Sequence, residues 1–580
     1  MQLVRRYRIP AFFCALTVLL CDLISKPYAA MGICDDGPYI LVAKNLAATG
    51  HIHYNGWSAA MLCWQLYLGA ALIKVFGFSF TTVRMSTLLV AMAAAFLLER
   101  TLVRCGISER NSVIGTLALV LSPMYLLLSA TFMSDIHGLF AIIVCLYGCL
   151  RALQASTDRA AIGWLCFAVA ANVACGTSRQ LAWLGVLVMV PSTLWLLRAK
   201  RRILLGGIAA TLAGIVVILG CMLWLKHQPY TLPEKLLSGH PRMVYVLCRF
   251  IDFFLDVPFL LLPIMALFLL AIRTSGPRIL ATVCGLLGIF LLLASYTRYL
   301  PIHSYSLLVP NLGDWITDTG GYGGVFYGKQ PIFLTRGVRV LLSAVSIGGL
   351  ISLIVLLVHS NGTSPAKEPS AGASWKELGV LLAPFTILYM TLLVSRAIAI
   401  SFLFDSVVLD RYALGLLIVL LICLVRYYQE RVQLRLPFAS ILLVGIMAIY
   451  GVAITHNMFA YYRALVAIAT ELREAGVPDT AVDNGWEYNM LVELQYAGHI
   501  NDSEIENPAG AYVPTAPPPA GDCPTFWYDK TPHIKAVYGI SFDPSKCYGA
   551  AGFAPVQYSR WLASAPGNLY VVRYTAHSTP

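Results

Sequence analysis

Long apolar runs recur along most of this 580-residue chain, and they constrain its fold more than any other feature. Each run approaches the roughly 20 residues that an α-helix needs to cross about 30 Å of hydrocarbon. Hydropathy predicts about thirteen membrane-spanning helices, the first of them a retained helix and not a cleaved signal. The predicted spans cover residues 10–27, 80–99, 112–132, 136–153, 160–177, 181–198, 203–225, 246–272, 279–297, 338–358, 378–396, 409–427 and 437–456. Because 58% of the residues are hydrophobic and 12% are charged, we predict an α-helical polytopic membrane protein.

Basic residues fall in alternate loops between the predicted spans, beginning with Arg5, Arg6 and Arg8 before the first span. The positive-inside rule places these loops and the N-terminus in the cytoplasm. An odd number of spans then puts the C-terminus on the exoplasmic side, in the periplasm or a lumen. The net charge of +12 is therefore largely topological, and the scattered basic residues give no support for nucleic-acid binding.

The chain changes character after residue 456, which divides it into a transmembrane domain, 1–456, and a polar exoplasmic domain, 457–580. Apolar residues at helical spacing predict a helix over Arg463–Gly476. Short strands are expected at Thr480–Val482 and Asn568–Ala576. We therefore predict a small α/β domain at the C-terminus.

Most of the 15 cysteines lie in predicted spans, where cysteine behaves as a small apolar residue. Cys523 and Cys547 are the clearest exceptions. A disulfide between them is compatible with an oxidising compartment, and two free thiols are the alternative.

Asp35 and Asp36 come directly after the first predicted span. Acids are costly near hydrocarbon, so a carboxylate pair here indicates chemistry or ion handling. A solvated pair of loop acids is the alternative. The first exoplasmic loop, 28–79, continues with an amphipathic surface helix over Gly37–Gly50 and an apolar run, Met61–Phe80. If that run were a span it would reverse every later loop, so we predict a re-entrant or interfacial helix.

A third carboxylate, Asp135, lies between two predicted spans on the same predicted face as the acidic pair. An acid that caps the following helix is the simple alternative. Three carboxylates that converge on one membrane face could orient an acceptor, bind a divalent cation or act as a general base. No Gly-rich nucleotide loop is visible.

These motifs resemble the GT-C superfamily of polyprenyl-phosphate-sugar-dependent glycosyltransferases, in particular the branch of bacterial lipid A aminoarabinose transferases and protein O-mannosyltransferases. In that branch an acidic pair, an aromatic residue and a surface helix follow the first span, as Asp35, Asp36 and Tyr39 do here. An aspartate in a Ser/Thr-Asp context follows the third span, as in Ser134-Asp135. The likeness covers about the first 200 residues by motif and the rest by architecture.

The resemblance implies a GT-C type fold in a bacterial inner membrane, with a cytoplasmic N-terminus and a periplasmic C-terminus. It also implies an inverting transfer of a sugar from a polyprenyl-phosphate donor to a lipid, glycan or protein acceptor. Asp35 would be the general base, with Asp36 or Asp135 assisting. Tyr39, Lys44, His53 and His137 would contact substrate. His51 and His53 flank a turn near the acids, and two histidines alone do not make a metal site.

One departure from the family concerns the donor phosphate. Aminoarabinose transferases carry a Lys-Pro-Pro stretch whose lysine grips lipid phosphate, but the corresponding region here, Gly56–Met61, lacks it. Arg179 and Arg411, at exoplasmic ends of predicted spans, are the candidate replacements, because a guanidinium offers a fork of donors suited to phosphate. Interfacial arginines that reach lipid headgroups are the alternative.

Three further acids and a tyrosine complete the candidates. Asp314, Asp318 and Tyr322 would line an acceptor cleft or belong to a packed exoplasmic lid, and Glu487 would be structural in the C-terminal domain.

Two other functions remain open at this stage. A secondary transporter would use membrane acids and arginines as a substrate and proton path, but the chain shows no convincing internal repeat. A non-catalytic membrane assembly factor explains the spans and leaves the acidic loop without a role.

Overall fold

The computed structural model describes residues 8–232, 243–296, 306–313, 315–322, 327–359, 372–400, 409–433, 435–501, 530–543 and 548–574. Within them, nine helices are long and apolar enough to cross a membrane, or up to eleven if each of two bent pairs is one span. The helices are α1 (Ile9–Ser25), α2 (Asp36–Thr49), α3 (Cys63–Phe76), α4 (Phe80–Arg104), α5 (Glu109–Val120), α6 (Pro123–Ser129), α7 (Ser134–Leu153), α8 (Asp158–Gly176), α9 (Val190–Leu196), α10 (Arg201–Lys226), α11 (Met243–Leu260), α12 (Leu262–Ala271), α13 (Pro277–Tyr296), α14 (Arg336–His359), α15 (Trp375–Ile400), α16 (Leu414–Tyr427), α17 (Phe438–Glu474) and α18 (Trp486–Ala497).

The fold is that of an α-helical polytopic membrane protein, as the apolar runs predict. Each predicted span coincides with an apolar helix or a helix pair. Two of these are shorter than the others: α1, and the helical segment Gln180–Leu196 that ends in α9. The count of thirteen spans stays a prediction.

Two predicted spans are sharply bent in the structure. The axes of α5 and α6 meet at 67°, and those of Phe250–Leu260 and α12 meet at 82°. Each second helix has a proline in its first turn, Pro123 and Pro263. A proline there has no N–H to continue the preceding helix, so the chain turns and starts again. Hydropathy reports only composition and therefore predicted two straight spans.

The first loop folds into two short helices, as predicted. α2 buries one face that includes Ile40, Val42 and Leu46. α3 has 14 residues. At 1.5 Å per residue it extends roughly 21 Å, less than the hydrocarbon thickness, which agrees with an interfacial or re-entrant helix.

The C-terminal part contains a mixed sheet that packs against the last membrane helix. Its strands are β3 (Val482–Asp483), β4 (Tyr538–Ser541), β5 (Tyr548–Ala550), β6 (Val556–Tyr558) and β7 (Gly567–Tyr574), while β1 (Ile316–Thr317) and β2 (Gly320–Gly321) form a separate hairpin. The sheet order is β3-β4-β7-β5, with β6 also paired to β7; β3 and β4 are parallel, and the other pairs are antiparallel. β7 confirms the strand predicted at Asn568–Ala576, whereas the strand predicted at Thr480–Val482 overlaps β3 only at Val482, because Asp479–Ala481 form a 3-10 helical turn.

The long helix α17 joins the sheet to the membrane part. Its 37 residues include both the last predicted span and the predicted helix 463–476, so residue 456 lies inside a continuous helix. The ring of Tyr461 stacks on Phe542, and His456 stacks on Trp561, which seats the sheet on this helix. The division into two domains at this residue stays a prediction. Cys523 and Cys547 lie outside the described residues.

Candidate active site

Asp36 is completely buried and fixes the start of α2. Its carboxylate accepts two hydrogen bonds from Arg84, 2.8 and 3.0 Å long, and others from the backbone N–H groups of Ile33 and Phe132. Arg84 also donates to the carbonyl oxygens of Ala29 and Met31. Buried charges persist when they are paired and hydrogen-bonded. This pair therefore ties the chain before α2 to α4.

Asp35 is the more accessible member of the acidic pair. Its side chain is 21% exposed, whereas that of Asp36 is fully buried. The indole N–H of Trp57 donates to one carboxylate oxygen at 2.8 Å, and the other oxygen lies 3.7 Å from the guanidinium of Arg411. The carboxylate of Asp35 is thus held at one oxygen and faces an arginine with the other.

Asp135 is the second carboxylate beside Arg411. It lies in the first turn of α7, where the helix dipole favours a negative charge. One oxygen is 2.8 Å from Arg179 and the other is 3.7 Å from Arg411. The residue that caps α7 is Met133, so the alternative of a capping aspartate is wrong.

The two arginines are positioned by their neighbours. Both guanidinium groups lie over the ring of Tyr412, at 5.2 Å for Arg179 and 5.7 Å for Arg411, in cation–π geometry. A Cβ atom added to Gly138 would stand 2.7 Å from the side chain of Arg179, so glycine makes room for that stem. Asp410 accepts hydrogen bonds from the backbone N–H groups of Trp315 and Ile316, which anchors the segment that carries Arg411.

The structure brings some of the predicted residues together and separates others. Asp35, Asp135, Arg179 and Arg411 converge, and Asp36 lies behind them with Arg84. Tyr39 lies beside this group: burial, and next the charge of Asp35, raise its pKa well above the usual value for tyrosine.

Lys44 and His53 lie apart, on an open cleft of about 800 Å³. The cleft is formed by α2, the 51–55 loop, the end of α10 and the end of α18. His137 is completely buried in α7, with a ring nitrogen 3.3 Å from the hydroxyl of Thr87. The structure therefore places His137 away from solvent.

Glu487 approaches the acidic pair from the C-terminal part of the chain. It is completely buried in the first turn of α18, and its carboxylate accepts hydrogen bonds from the N–H of Cys34 and the hydroxyl of Tyr462. Burial raises the pKa of Glu487 to about 7. The role of Glu487 therefore extends beyond the C-terminal domain, because Glu487 hydrogen-bonds Cys34, the residue before Asp35.

Three residues near the site were missed or undervalued from the sequence: Arg84, Trp57 and Glu487. Arg84 carried a usable signal, since a charge inside a predicted span requires a partner. Trp57 and Glu487 gave none, because their contacts join residues far apart in the chain. In the described ranges, no group of three or more His, Cys, Asp or Glu side chains is arranged to hold a metal ion.

The loop predicted as a lid or acceptor cleft lies partly outside the described residues, which exclude Asp314. Asp318 pairs with Arg339 at 3.2 Å. The ring of Tyr322 packs on Trp315, 5.5 Å between centroids. These contacts fit a packed loop.

Comparison with known proteins gives matches in structure. No protein-family model matches the chain, and no curated protein matches its sequence. Crystal structures of ArnT from Cupriavidus metallidurans, in the apo state and bound to undecaprenyl phosphate, match with a TM-score of 0.41 and 12% identity over 98% of each chain. The archaeal oligosaccharyltransferase AglB from Archaeoglobus fulgidus matches with a TM-score of 0.34 and 14% identity, over 79% of this chain and 58% of that one.

The protein O-mannosyltransferase Pmt1-Pmt2 complex of S. cerevisiae matches a smaller part. The TM-score is 0.30 at 13% identity, over 38% of this chain and 33% of that one. The present chain is a multi-pass helical membrane protein, and the structures it is similar to include an oligosaccharyltransferase and a protein O-mannosyltransferase.

Proposed function

We propose that this protein is a membrane glycosyltransferase that moves a sugar from a polyprenyl-phosphate donor to an acceptor hydroxyl on the exoplasmic face. The observation that carries the proposal is the convergence of Asp35, Asp135, Arg179 and Arg411 from four separate segments. Each lies at or next to a helix end. Two carboxylates and two arginines at one site supply both a proton acceptor and a binding place for a phosphate.

The reaction would proceed by a single displacement. The acceptor oxygen attacks the anomeric carbon while Asp35 takes the hydroxyl proton. The bond between the anomeric carbon and the phosphate oxygen breaks, and polyprenyl phosphate leaves with the electron pair. Arg411 and Arg179 neutralise the charge that develops on that phosphate. One displacement inverts the configuration of the sugar.

Asp35 is our choice of base because part of its carboxylate is accessible and one oxygen faces Arg411. Asp135 would orient the two guanidinium groups, and Asp36 would act through the position that it gives to α2. In this proposal the arginines do what a divalent cation would otherwise do. Each of the three aspartates already has an arginine partner, so a cation at the acidic cluster would have to displace one of them.

The alternatives lack a supporting observation. The charged groups lie at helix ends and not near the middle of the predicted spans, which does not favour a transporter path. An assembly factor would not need two arginines held over one aromatic ring.

The test is sugar transfer in membranes that contain the protein, supplied with labelled polyprenyl-phosphate sugars. We expect transfer by the wild-type protein and a loss of about 10² to 10³ in rate for Arg411→Gln, because a charged donor to the leaving phosphate is removed. Arg473→Gln is the matched control, since Arg473 is paired to Asp479 but is 59% exposed. Full activity of Arg411→Gln, or no transfer by the wild type from any such donor, would reject the proposal.

We also propose that the cleft beside α2 receives the part of the acceptor remote from the reacting hydroxyl, since α2 begins next to Asp35 and its far part lines this cleft. Its lining includes Lys44, His51 and His53 and the aromatic residues Tyr54 and Trp224, and among the described residues no acidic side chain lines it. Aromatic faces with amide and cationic groups suit a sugar or a phosphorylated headgroup.

Lys44→Ala and His53→Ala are therefore expected to raise the KM for acceptor about tenfold, as loss of one polar contact to the ligand does, and to leave the KM for donor unchanged. Initial rates measured while each substrate is varied separate the two effects. Lys74→Ala, an exposed lysine of the same loop outside the cleft, serves as the control. An unchanged acceptor KM in both cleft variants would place the acceptor elsewhere.

A further inference from the structure

The first turn of α18 contacts the segment that carries Asp35, although the two are separated by about 450 residues of sequence. Glu487 supplies one contact and its neighbour Trp486 supplies another. No reaction step proposed above uses either residue.

The Glu487 contact acts on the backbone directly before Asp35. One carboxylate oxygen accepts the N–H of Cys34 at 3.1 Å and the hydroxyl of Tyr462 at 2.7 Å. Cys34 has a φ of 54°, in the left-handed region that costs a residue with a side chain energy. Such a conformation persists where surrounding contacts hold it. The hydrogen bond to Glu487 is one of those contacts.

The Trp486 contact acts on the carboxylate of Asp35 itself. The rings of Trp486 and Trp57 pack with centroids 4.6 Å apart, at an angle of 48°. The indole N–H of Trp57 in turn donates to Asp35 at 2.8 Å. α18 therefore reaches Asp35 through its backbone on one side and through a tryptophan on the other.

The helix and the segment also pack closely. A Cβ atom on Gly37 would lie 3.0 Å from the end of the Met490 side chain and 3.2 Å from the Cα of Gly32. These two glycines let the chain fold back on itself under α18. The contact between α18 and the segment is consequently a closely packed surface and not a single hydrogen bond.

We infer that α18 positions the catalytic base: Glu487 and Trp57 are positioning residues that fix the backbone and the carboxylate of Asp35 for proton transfer. The inference rests on the proposed function, in which Asp35 is the base. It assigns the C-terminal part of the chain a role in the chemical step, whereas contacts that served only to hold the fold together would affect stability alone.

The experiment uses full-length protein in lipid nanodiscs and two measurements, amide hydrogen exchange of the 29–37 segment and kcat for sugar transfer. Glu487→Ala is expected to raise exchange in this segment about tenfold, since the loss of a hydrogen bond to a buried carboxyl group corresponds to roughly that factor. We expect kcat to fall by at least about tenfold as well, with the KM for donor unchanged. Glu487→Gln should restore both values toward wild type, because the amide oxygen can accept the same two bonds.

Glu493→Ala is the matched control. Glu493 is also buried in α18, but its partner is His533 at 2.7 Å. It should lower stability without changing exchange at 29–37. If Glu493→Ala had the same effects as Glu487→Ala, or if Glu487→Ala changed exchange but not kcat, the positioning role would be overturned.

Trp57→Phe tests the second contact without removing the ring. We expect kcat to fall about tenfold, and the loss should not add to that of Asp35→Asn, because both changes act through one carboxylate. Additive losses would contradict the inference. A wild-type protein without transfer activity would instead reject the proposed function, and the exchange measurement would still decide whether α18 holds the segment.

Discussion

Asp35→Asn is expected to lower kcat for sugar transfer by a factor of about 10² to 10⁴, the usual contribution of a positioned general base. Asparagine has nearly the same shape and can still accept the indole N–H of Trp57, so the local structure should survive. It cannot take the proton of the acceptor hydroxyl. The KM for donor should change little, because Arg179 and Arg411 remain.

Single-turnover transfer from a labelled donor measures this effect apart from substrate binding. Asp479→Asn is the control, since Asp479 is similarly exposed at 25% and is also paired to an arginine, but on the surface. Activity of Asp35→Asn within a few-fold of wild type would mean that another group accepts the proton, and Asp135 would then be the next candidate.

Arg84→Gln is expected to have the largest effect on stability. Removing one partner of a buried ion pair costs about 3 to 5 kcal/mol, because the remaining charge of Asp36 stays buried without compensation. Arg84 also binds the carbonyl oxygens of Ala29 and Met31, and those would lose a donor. We expect little folded protein at 37 °C and a strongly lowered Tm in detergent.

The exposed pair of Arg473 and Asp479 again provides the comparison. Arg473→Gln should cost no more than about 1 kcal/mol, as surface pairs do. Replacing both Arg84 and Asp36 by apolar residues should not restore stability, since the N–H groups of Ile33 and Phe132 would then lose their acceptor. A similar Tm for the Arg84 and Arg473 variants would contradict the structural role of the buried pair.

Much of the fold follows from the sequence, because the membrane imposes a simple rule on composition and length. Apolar runs located every described membrane helix, and alternation located β7, whereas β3 was placed two residues too early. The bends at Pro123 and Pro263 were missed because hydropathy measures composition and carries no information about the direction of a helix axis. The fusion of the last span with the following helix was missed because polarity changes at residue 456 while the helix does not.

The site could be predicted only in part. Aspartates and arginines at the ends of spans could be identified as candidates, because charged side chains close to hydrocarbon are costly and are seldom present without a function. Local chemistry did not separate the roles of Asp35 and Asp36, which are identical neighbours, and only the family resemblance favoured Asp35 as the base. Burial separates them: Arg84 encloses Asp36, and Asp35 faces Arg411. The contribution of α18 depends on tertiary contacts that no local pattern reveals.

The length of α17 has a mechanical consequence. Its 37 residues form a helix of roughly 55 Å without a proline, and the C-terminal sheet packs on its second half through two stacked ring pairs. A helix without a kink keeps a fixed angle between its first half and the sheet that packs on its second half. The sheet is therefore expected to move together with the helix as the helix tilts, and not about a hinge within it.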